Sequence, residues 1–300
     1  MYLITRPMGL LEVSGATRLD LINRMSTNQV ALLKPGQGAA TVLTTEMGRI
    51  IDRLILFADE DKAIMMTGES NGDNIGRYLM RFVFFNDDFA LNPIHSTFST
   101  LFVYGQDAQA KISEFFNTEV DLTLHHWQHV QFEGENIILA ATDPLDVHGY
   151  VFIVPNESLE KLTNQLTASG GQSLSEEEFD AMRIEHMLPR LRYEMTGDYI
   201  PLETGLWDDI SFTKGCYTGQ EIIARMDSRN KVTKQLVQLD LDGPLPIGTD
   251  FLSGGIKAGT ITTSAGNRAL GYVKKKVLQG QAPITAGEVT IHPVYEAESE

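Results

Sequence analysis

Cysteine is almost absent from this chain: one residue, Cys216, occurs among 300. A single cysteine cannot form a disulfide within the chain, so we expect a protein of a reducing compartment, the cytoplasm. Long apolar runs are absent too, since none comes close to the roughly 18 residues that a membrane-spanning helix needs. The first residues also lack the basic stretch, apolar core and cleavage site of a secretory leader. The sequence therefore predicts a protein without a membrane span.

Positive charge is also scarce. The chain has 24 lysines and arginines against 40 acidic residues, which gives a formal net charge of −16. This excess argues against wholesale binding of nucleic acids or anionic membranes. The segment 211–235, here called the basic segment, is the exception, with five basic residues, two acidic ones and a net charge of +3. It indicates a local anionic ligand, although a solvated helix face followed by a loop would have the same composition.

The remaining composition is that of a globular protein, with 42% apolar and 21% charged residues. Because 300 residues exceed what one hydrophobic core usually organises, we expect two or three domains. After Lys234, short alternating strands with frequent turns predict a small antiparallel barrel or sandwich. Before it, periodicity and turn residues predict helices over 16–25, 75–81, 106–116, 157–166 and 176–187, and strands over 40–45, 50–57, 101–104, 128–132, 137–141 and 151–154.

The octet KGCYTGQE, from Lys214 to Glu221, surrounds the cysteine with residues that packing alone does not require. Thr218 and Glu221 have the spacing of a capping box, which predicts that a helix starts there. Cys216 would then lie on a tight loop at a helix N-terminus, close to Lys214. The helix dipole and the ammonium group both favour the thiolate form of a cysteine. The alternative is a buried thiol that packs as a small apolar residue.

The run ISFTKGCYTGQEIIAR, residues 210–225, closely resembles the signature of the YgfZ-type folate-binding proteins. These proteins are relatives of the glycine-cleavage aminomethyltransferase, the T-protein. Other runs are similar to the family in the expected order, namely LDLINRMSTNQVALLKPGQG at 19–38, MRIEHMLPR at 182–190 and YIPLETGL at 199–206. The resemblance spans most of the chain and is weakest at about residues 60–170.

The resemblance implies an α+β fold, with two α+β lobes plus a small C-terminal antiparallel β-barrel arranged around a central channel. We expect the N-terminal lobe over residues 1–105 and the second lobe, with the signature octet, over 106–234. The barrel would then occupy residues 235–300.

A folate has a flat ring with adjacent N–H donors and an anionic tail. A site that binds it therefore needs a hydrogen-bond acceptor for the ring donors, an aromatic or apolar side chain that packs on the ring face, and cations that bind the tail. The resemblance implies that Glu185 accepts from the ring, whereas spacing alone makes it a helix-surface acid. Trp207 is a candidate for packing on the ring, with a core or lobe-interface anchor as the alternative, and Lys214 and Arg225 are candidates for binding the tail. Asn28 is a candidate for a ring hydrogen bond, with a turn asparagine as the alternative. The cofactor would be tetrahydrofolate or another folate.

Three histidines, His125, His126 and His129, do not indicate a metal site. No acidic or cysteine partner is close to them in sequence, and a zinc site normally needs three or four ligands. Cys216 alone cannot hold an iron–sulfur cluster either, since clusters typically require four protein ligands.

The resemblance implies a tetrahydrofolate-binding accessory protein that supports iron–sulfur cluster assembly or repair, and thereby tRNA modification and processing. Cys216 would be its functional thiol, and its partners would be iron–sulfur assembly proteins or client enzymes. The alternative is an enzyme that transfers an aminomethyl or other one-carbon unit to folate. The T-protein uses an aspartate for this step, but the matching stretch 92–105 contains no acid, and Asp87 and Asp88 would need a register shift. We therefore favour a non-enzymatic factor over an enzyme or a direct RNA binder.

Overall fold

The computed structural model describes residues 1–228 and 232–294. They form two compact units, each assembled from separate parts of the chain. The first unit comprises Met1–Thr44, Asp52–Ser175 and Asp208–Thr218, and the second comprises Thr45–Ile51, Glu176–Trp207 and Gly219–Glu300. The expected domain boundaries at residues 105 and 234 stay a prediction.

Residues 1–175 alternate between strands and helices. The strands are β1 (Tyr2–Arg6), β2 (Met8–Ser14), β3 (Gly38–Thr44), β4 (Ile50–Ala58), β5 (Lys62–Glu69), β6 (Ala90–Pro93), β7 (Phe98–Tyr104), β8 (Trp127–Phe132), β9 (Glu135–Ala141), β10 (Gly149–Pro155) and β11 (Gln172–Ser173). The helices are α1 (Arg18–Met25), α2 (Gly72–Met80), α3 (Ala108–Phe116) and α4 (Asn156–Ala168).

Two sheets organise the first unit. A six-stranded sheet has the order β11-β1-β7-β10-β9-β8, and a five-stranded sheet has the order β3-β4-β5-β2-β6. In the six-stranded sheet, Leu101 of β7 is paired with Phe152 of β10, and both are fully buried in a core with Ile112 of α3 and Leu162 of α4. The continuous apolar run of β7 fits this position, because a central strand that is covered on both faces needs no polar alternation.

The second unit contains the C-terminal barrel and short helices. These helices are α5 (Glu176–Glu185), α6 (Pro201–Thr204), α7 (Gln220–Ser228) and α8 (Lys275–Leu278). The strands are β12 (Lys234–Leu241), β13 (Asp250–Ser253), β14 (Ile256–Ala265), β15 (Arg268–Lys274), β16 (Ile284–Ala286) and β17 (Val289–Val294). They close into an antiparallel barrel in the order β12-β15-β14-β13-β16-β17, which leaves no unpaired edge. The predicted α+β fold with a C-terminal barrel is confirmed.

A buried ion pair joins α5 to the barrel. The guanidinium of Arg183 lies 2.8 Å from a carboxylate oxygen of Glu194, and both side chains are fully buried. The Thr263 hydroxyl of β14 donates to the other Glu194 oxygen at 2.6 Å. Because each buried charge has a partner, the desolvation cost of the pair is offset by hydrogen bonds.

The helices and strands predicted before residue 188 all have observed counterparts with ends within three residues of the expected ones. Helix α5 stops at Glu185 because Met187, two residues further on, has a left-handed φ of 54°. The predicted capping role of Thr218 is wrong. Gly219 has a φ of 86°, so α7 begins only at Gln220, and the Thr218 hydroxyl lies 4.0 Å from the sulfur of Met25 instead.

Candidate functional site

The segment 208–218, here called the cysteine loop, is fixed within the first unit near both of its ends. Near its start, the Thr27 hydroxyl donates to the carbonyl oxygen of Asp209 at 2.6 Å. At its end, the Thr44 hydroxyl donates to the carbonyl oxygen of Thr218 at 2.7 Å. Both donors are buried threonines, so the path of the loop is set by contacts that water does not compete for.

Lys214 fixes the middle of the cysteine loop. Its ammonium nitrogen lies 2.6 Å from the carbonyl oxygen of Asn23, 2.9 Å from that of Ser26 and 2.7 Å from that of Asn28. Asn23 is in the last turn of α1, where carbonyl oxygens lack helical partners and attract cations. An ammonium group has three N–H donors, and here backbone oxygens accept all three. This geometry weighs against a contact of Lys214 with a folate tail, and that assignment stays a prediction.

Burial changes the ionisation of two side chains in the octet. It lowers the pKa of Lys214 to about 8, because a charged amine is disfavoured away from water. It raises the pKa of Tyr217 to about 12 for the same reason. The ammonium of Lys214 lies 5.3 Å from the centre of the Tyr217 ring, so the two side chains are neighbours.

Cys216 is exposed to solvent, and the alternative of a buried packing thiol is therefore wrong. A side chain at the neighbouring Gly215 would meet no atom within 4 Å, so this stretch of the loop is open. The thiol can thus be reached from solvent, while the backbone that carries it is held in place by Lys214.

Asn28 has the contacts of a turn residue. Its side-chain amide donates to the carbonyl oxygens of Ala40 at 2.8 Å and Asp208 at 3.1 Å, and its side-chain oxygen accepts from the N–H of Gln29 at 2.8 Å. These contacts match the turn role that the sequence left open. Contact of Asn28 with a folate ring stays a prediction.

An ion cluster that the sequence did not indicate lies at the start of the cysteine loop. Arg53 of β4 binds Asp143 through two N–O contacts of 2.6 and 3.0 Å, and it binds Asp209 at 2.6 and 3.2 Å. Burial would raise the pKa of the Asp143 carboxyl, but the Arg53 guanidinium outweighs burial and holds it below its usual value. The cluster therefore ties β4 and the segment after β9 to Asp209, the second residue of the cysteine loop.

His125 lies beside this cluster. Burial lowers its pKa to about 4, against the opposing effect of Asp143, so the imidazole is neutral at physiological pH. Its Nδ1 atom is buried without a hydrogen-bond partner among the described residues. The backbone of His125 is left-handed, with a φ of 65°. His125 therefore combines a buried, neutral imidazole with a strained backbone conformation, and it lies within the first unit.

The other candidates for folate contacts lie in the second unit. Glu185 ends α5 with 60% of its side chain exposed, and its nearest cation is Arg268 at 3.9 Å. Trp207 exposes 43% of its surface, which does not fit a buried core anchor. Arg225 is an exposed residue of α7. Each of the three is accessible to a ligand.

A buried acid, Glu203, was also missed by sequence reasoning. Its carboxylate accepts from the N–H of Ile200 at 3.1 Å and lies 3.9 Å from both Arg49 and Lys234. Burial raises its pKa, although the two cations oppose the effect. The Lys234 ammonium lies 4.2 Å from the centre of the Tyr199 ring, within range of a cation–π contact. Lys234 is thus committed to contacts within the second unit.

Metal-ligating residues are dispersed. In the parts of the chain that the structure describes, no three or more His, Cys, Asp or Glu side chains are placed to hold a metal ion together. Of the three clustered histidines, His126 contacts the Thr123 hydroxyl and the His129 ring packs edge-on against Trp127, with ring centres 5.1 Å apart. None of the helices in residues 1–228 and 232–294 has the length and apolar character needed to span a membrane.

Two protein-family models match the sequence of this chain. The model of the GCVT N-terminal domain matches residues 5–214, and that of the CAF17 C-terminal β-barrel domain matches residues 233–297. The chain belongs to the GCVT family, and the added barrel is that of the YgfZ/CAF17 type.

Sequence relatives and a solved structure agree with this assignment. A putative chloroplastic transferase of Arabidopsis thaliana is 25% identical over 93% of this chain and 66% of its own length. An aminomethyltransferase of Halalkalibacterium halodurans is 24% identical over 95% of this chain and 80% of its own length. The crystal structure of the glycine cleavage system aminomethyltransferase T from Bartonella henselae has a TM-score of 0.83. It is 18% identical and covers 98% of this chain and 84% of its own, so it shows the fold.

Proposed function

We propose that the protein is a cytoplasmic, tetrahydrofolate-binding accessory factor. It supports the assembly or repair of iron–sulfur clusters and, through iron–sulfur enzymes, tRNA modification and processing. Membership of the GCVT family with its CAF17-type barrel supports the folate part. The observation that carries the proposal is the exposed Cys216 on a loop that Lys214 and buried threonines hold in place.

A solvent-exposed thiol on a fixed loop suits transient contact with a second protein. An iron–sulfur cluster typically takes four protein ligands, and Cys216 supplies one thiol. The other ligands would come from an iron–sulfur assembly protein or a client enzyme. Because the loop is already ordered, little conformational entropy is lost when a partner reaches the thiol.

For folate, the exposed residues of the second unit are the better-placed candidates. The Glu185 carboxylate can accept the paired donors of the pterin ring, the Trp207 indole can cover a ring face, and Arg225 can receive the anionic tail. Lys214 remains in the proposal chiefly as a positioning residue for the cysteine loop, because its donors already bind carbonyl oxygens.

Replacement of the Glu185 carboxylate tests the folate part. We expect Glu185→Ala to weaken tetrahydrofolate binding by about 1–3 kcal/mol, because the ring donors lose a charged acceptor. Isothermal calorimetry measures this change. Glu177→Ala is the matched control, since Glu177 is an exposed acid on the same helix. Unchanged affinity in the Glu185 variant would remove this residue from the site.

Replacement of the thiol tests the iron–sulfur part. We expect Cys216→Ser to leave the unfolding free energy and the folate affinity within about 0.5 kcal/mol of wild type, because Cys216 is exposed. The same variant should lose the ability to restore iron–sulfur enzyme activity in cells that lack the protein. Thr213→Ser, another exposed position of the cysteine loop, is the control. Full restoration by Cys216→Ser would show that the thiol has no functional role.

The alternative, folate-dependent one-carbon transfer, is favoured by the relatives that are named aminomethyltransferases. Asp87 and Asp88, which a register shift would bring to the position of the T-protein aspartate, already accept hydrogen bonds within the protein. Asp87 accepts from Arg24 at 2.7 Å and from the N–H of Phe84 at 2.9 Å, and Asp88 accepts from the N–H of Ala16 at 2.8 Å. Folate-dependent release of ammonia from an aminomethyl carrier by the purified protein would favour the enzyme over the accessory factor.

A further inference from the structure

The run GESNG, residues 68–72, has the pattern G-x-S-x-G of the nucleophile turn in serine hydrolases. The pattern is informative only where a strand leads through the serine into a helix. Here β5 ends at Glu69 and α2 begins at Gly72, so Ser70 lies on such a strand-to-helix turn within the first unit. The proposed function uses neither this serine nor its turn.

Ser70 has the strained backbone of a nucleophile turn. Its φ of 49° is left-handed, which is uncommon for a residue with a side chain. Its N–H donates to the carbonyl oxygen of Pro7 at 2.7 Å, and this bond holds the turn against the connection between β1 and β2. Ser70 is also exposed, so solvent and small molecules can reach it. Strained conformations of this kind are concentrated at functional sites.

An imidazole packs on the same turn. A side chain added at Gly72 would come within 3.1 Å of Nδ1 of His95, so the ring lies against the glycine two residues after Ser70. Nδ1 lies 3.3 Å from the carbonyl oxygen of Leu10, and because a carbonyl oxygen only accepts, Nδ1 carries the ring proton. The other nitrogen of the neutral ring, Nε2, is then an acceptor, as a general base must be.

A carboxylate lies near this basic nitrogen. Nε2 of His95 is 3.4 Å from an oxygen of Asp73. The separation exceeds an ordinary hydrogen bond, so Asp73 does not occupy the lone pair of Nε2. Its charge nevertheless favours the imidazolium that forms when the ring takes up a proton. Ser70, Asp73 and His95 also occur in the order serine, acid, histidine that α/β-hydrolases use.

One cavity brings these three residues together. Ser70, Asp73 and His95 line a space of about 460 Å³, which is within the usual range of small-molecule sites. Met8 and Phe98 add apolar surface to a wall that is otherwise largely polar. The first turn of α2 is part of the wall as well, and its N–H groups lack acceptors within the helix, as donors to an oxyanion must.

We propose that Ser70 and His95 hydrolyse a short-chain carboxylic ester in this cavity. Ser70 Oγ bonds to the ester carbonyl carbon as the bond to the leaving alcohol breaks, and His95 Nε2 takes the serine proton and passes it to the departing oxygen. A water molecule then attacks the acyl-serine, with His95 again as the base, and releases the carboxylic acid. Asp73 stabilises the imidazolium in both steps. The activity does not depend on the proposed function.

Labelling with a fluorophosphonate tests the nucleophile, because this reagent loses fluoride to an activated serine hydroxyl. We treat the full-length protein with the probe and locate the label by peptide mass spectrometry. We expect it on Ser70, with labelling about 100-fold slower in His95→Gln, since a general base contributes roughly 10²–10⁴ in rate. Ser99→Ala is the matched control and should be labelled like wild type. Ser99 lines the same cavity, but its hydroxyl donates to Asn156 at 2.7 Å.

The variant Ser70→Gly removes the hydroxyl and spares the fold, because glycine adopts a left-handed φ without steric cost. It should unfold at about the same temperature as wild type. It should nevertheless lose both the label and the release of nitrophenol from p-nitrophenyl butyrate.

The pH profile of labelling tests Asp73. Asp73→Asn should move the midpoint of the profile to lower pH, because the imidazolium of His95 loses a nearby anion. Arg6, a charged residue of the same wall, is paired with Glu69, and this pair is the same in both proteins. An unmoved midpoint would remove Asp73 from the mechanism.

Three results would overturn the proposal as a whole. These are the absence of a label on Ser70, equal labelling rates in wild type and His95→Gln, and undiminished nitrophenol release by Ser70→Gly.

Discussion

Lys214 links two segments that are 186 to 191 residues apart in sequence. Its ammonium binds the carbonyl oxygens of Asn23 and Ser26 at the C-terminal end of α1, and that of Asn28 in the following turn. A cation at this end of a helix is favoured by the helix dipole and satisfies carbonyl groups that the helix leaves unpaired. The lysine of the signature octet thus fixes the path of the loop that carries Cys216.

Removal of the ammonium should loosen this attachment. We expect Lys214→Met to lower the free energy of unfolding by about 1–3 kcal/mol, because partly buried carbonyl oxygens lose their donor. Urea denaturation measures the change. Lys34→Met, at an exposed position, should alter stability by less than about 0.5 kcal/mol.

A comparison of wild type with Lys214→Met at several pH values tests the lowered pKa of Lys214. The pKa of Lys214 is lowered to about 8 on folding, so between about pH 8 and its ordinary pKa of 10.5 the unfolded chain binds more protons than the folded one. Stability rises with pH wherever the unfolded state binds more protons. Wild type should therefore become more stable relative to Lys214→Met as pH rises through this window, and their difference should be constant below it. A difference that falls as pH rises from 8 would contradict the assigned pKa.

At the scale of elements, the Arg53 cluster joins β4, the segment after β9 and the start of the cysteine loop. One guanidinium neutralises two carboxylates, and the side chains of Arg53 and Asp209 expose only 12% and 6% of their surface. Such a cluster is costly to break, because removal of one partner leaves the others charged and desolvated.

We expect Arg53→Met to destabilise the protein by about 3–5 kcal/mol at neutral pH, as buried ion pairs do when one partner is lost. The pKa of Asp143, which Arg53 now holds down, should rise in this variant, and acidification should then recover part of the lost stability. Urea denaturation at several pH values measures both effects. The triple variant with Asp143→Asn and Asp209→Asn is the control and should be more stable than Arg53→Met alone. If Arg53→Met alone were as stable as wild type, the cluster would not be what holds the cysteine loop.

Elements with strong local signals were predicted well from the sequence. Helix α4 and strand β8 have clear periodicity, strands β9 and β10 are apolar runs, and the barrel was indicated by alternation and by frequent turns. No prediction was made for β1, β2 or β5. These short apolar runs fit a strand or a buried helix equally, and the strand that pairs with β1, β7, lies about 100 residues away in sequence.

The candidate site was predicted only in part. The octet identified Cys216 and Lys214, because unusual residue types occur there together. The sequence did not predict that Lys214 binds carbonyl oxygens, since backbone groups carry no residue signal. It also missed the contact of Arg53 with Asp143 and Asp209, which are 90 and 156 positions away and meet only in the fold. Long-range ion pairs of this kind have no local pattern.

At the scale of the whole molecule, the distribution of charge weighs against direct RNA binding. The net charge is −16, which opposes long-range attraction of a polyanion. Within the basic segment, Lys214 binds carbonyl oxygens and Lys234 lies against Glu203 and Tyr199. Arg225 is exposed on α7, while Arg229 and Lys231 lie outside the described residues. Two of the five cations are therefore already committed within the protein.

We therefore expect the purified protein to bind tRNA more weakly than about 10⁻⁴ M at physiological salt, the weak limit of ordinary non-specific binding. Filter binding or fluorescence anisotropy at several salt concentrations measures this affinity. Arg225→Ala should leave this weak tRNA affinity unchanged if the protein acts on tRNA modification through iron–sulfur enzymes. Micromolar binding with a steep salt dependence, reduced in Arg225→Ala and Arg229→Ala, would instead assign the basic segment to RNA. Arg225 and Arg229 would then contact phosphate groups directly, and the net negative charge of the chain would not prevent the encounter.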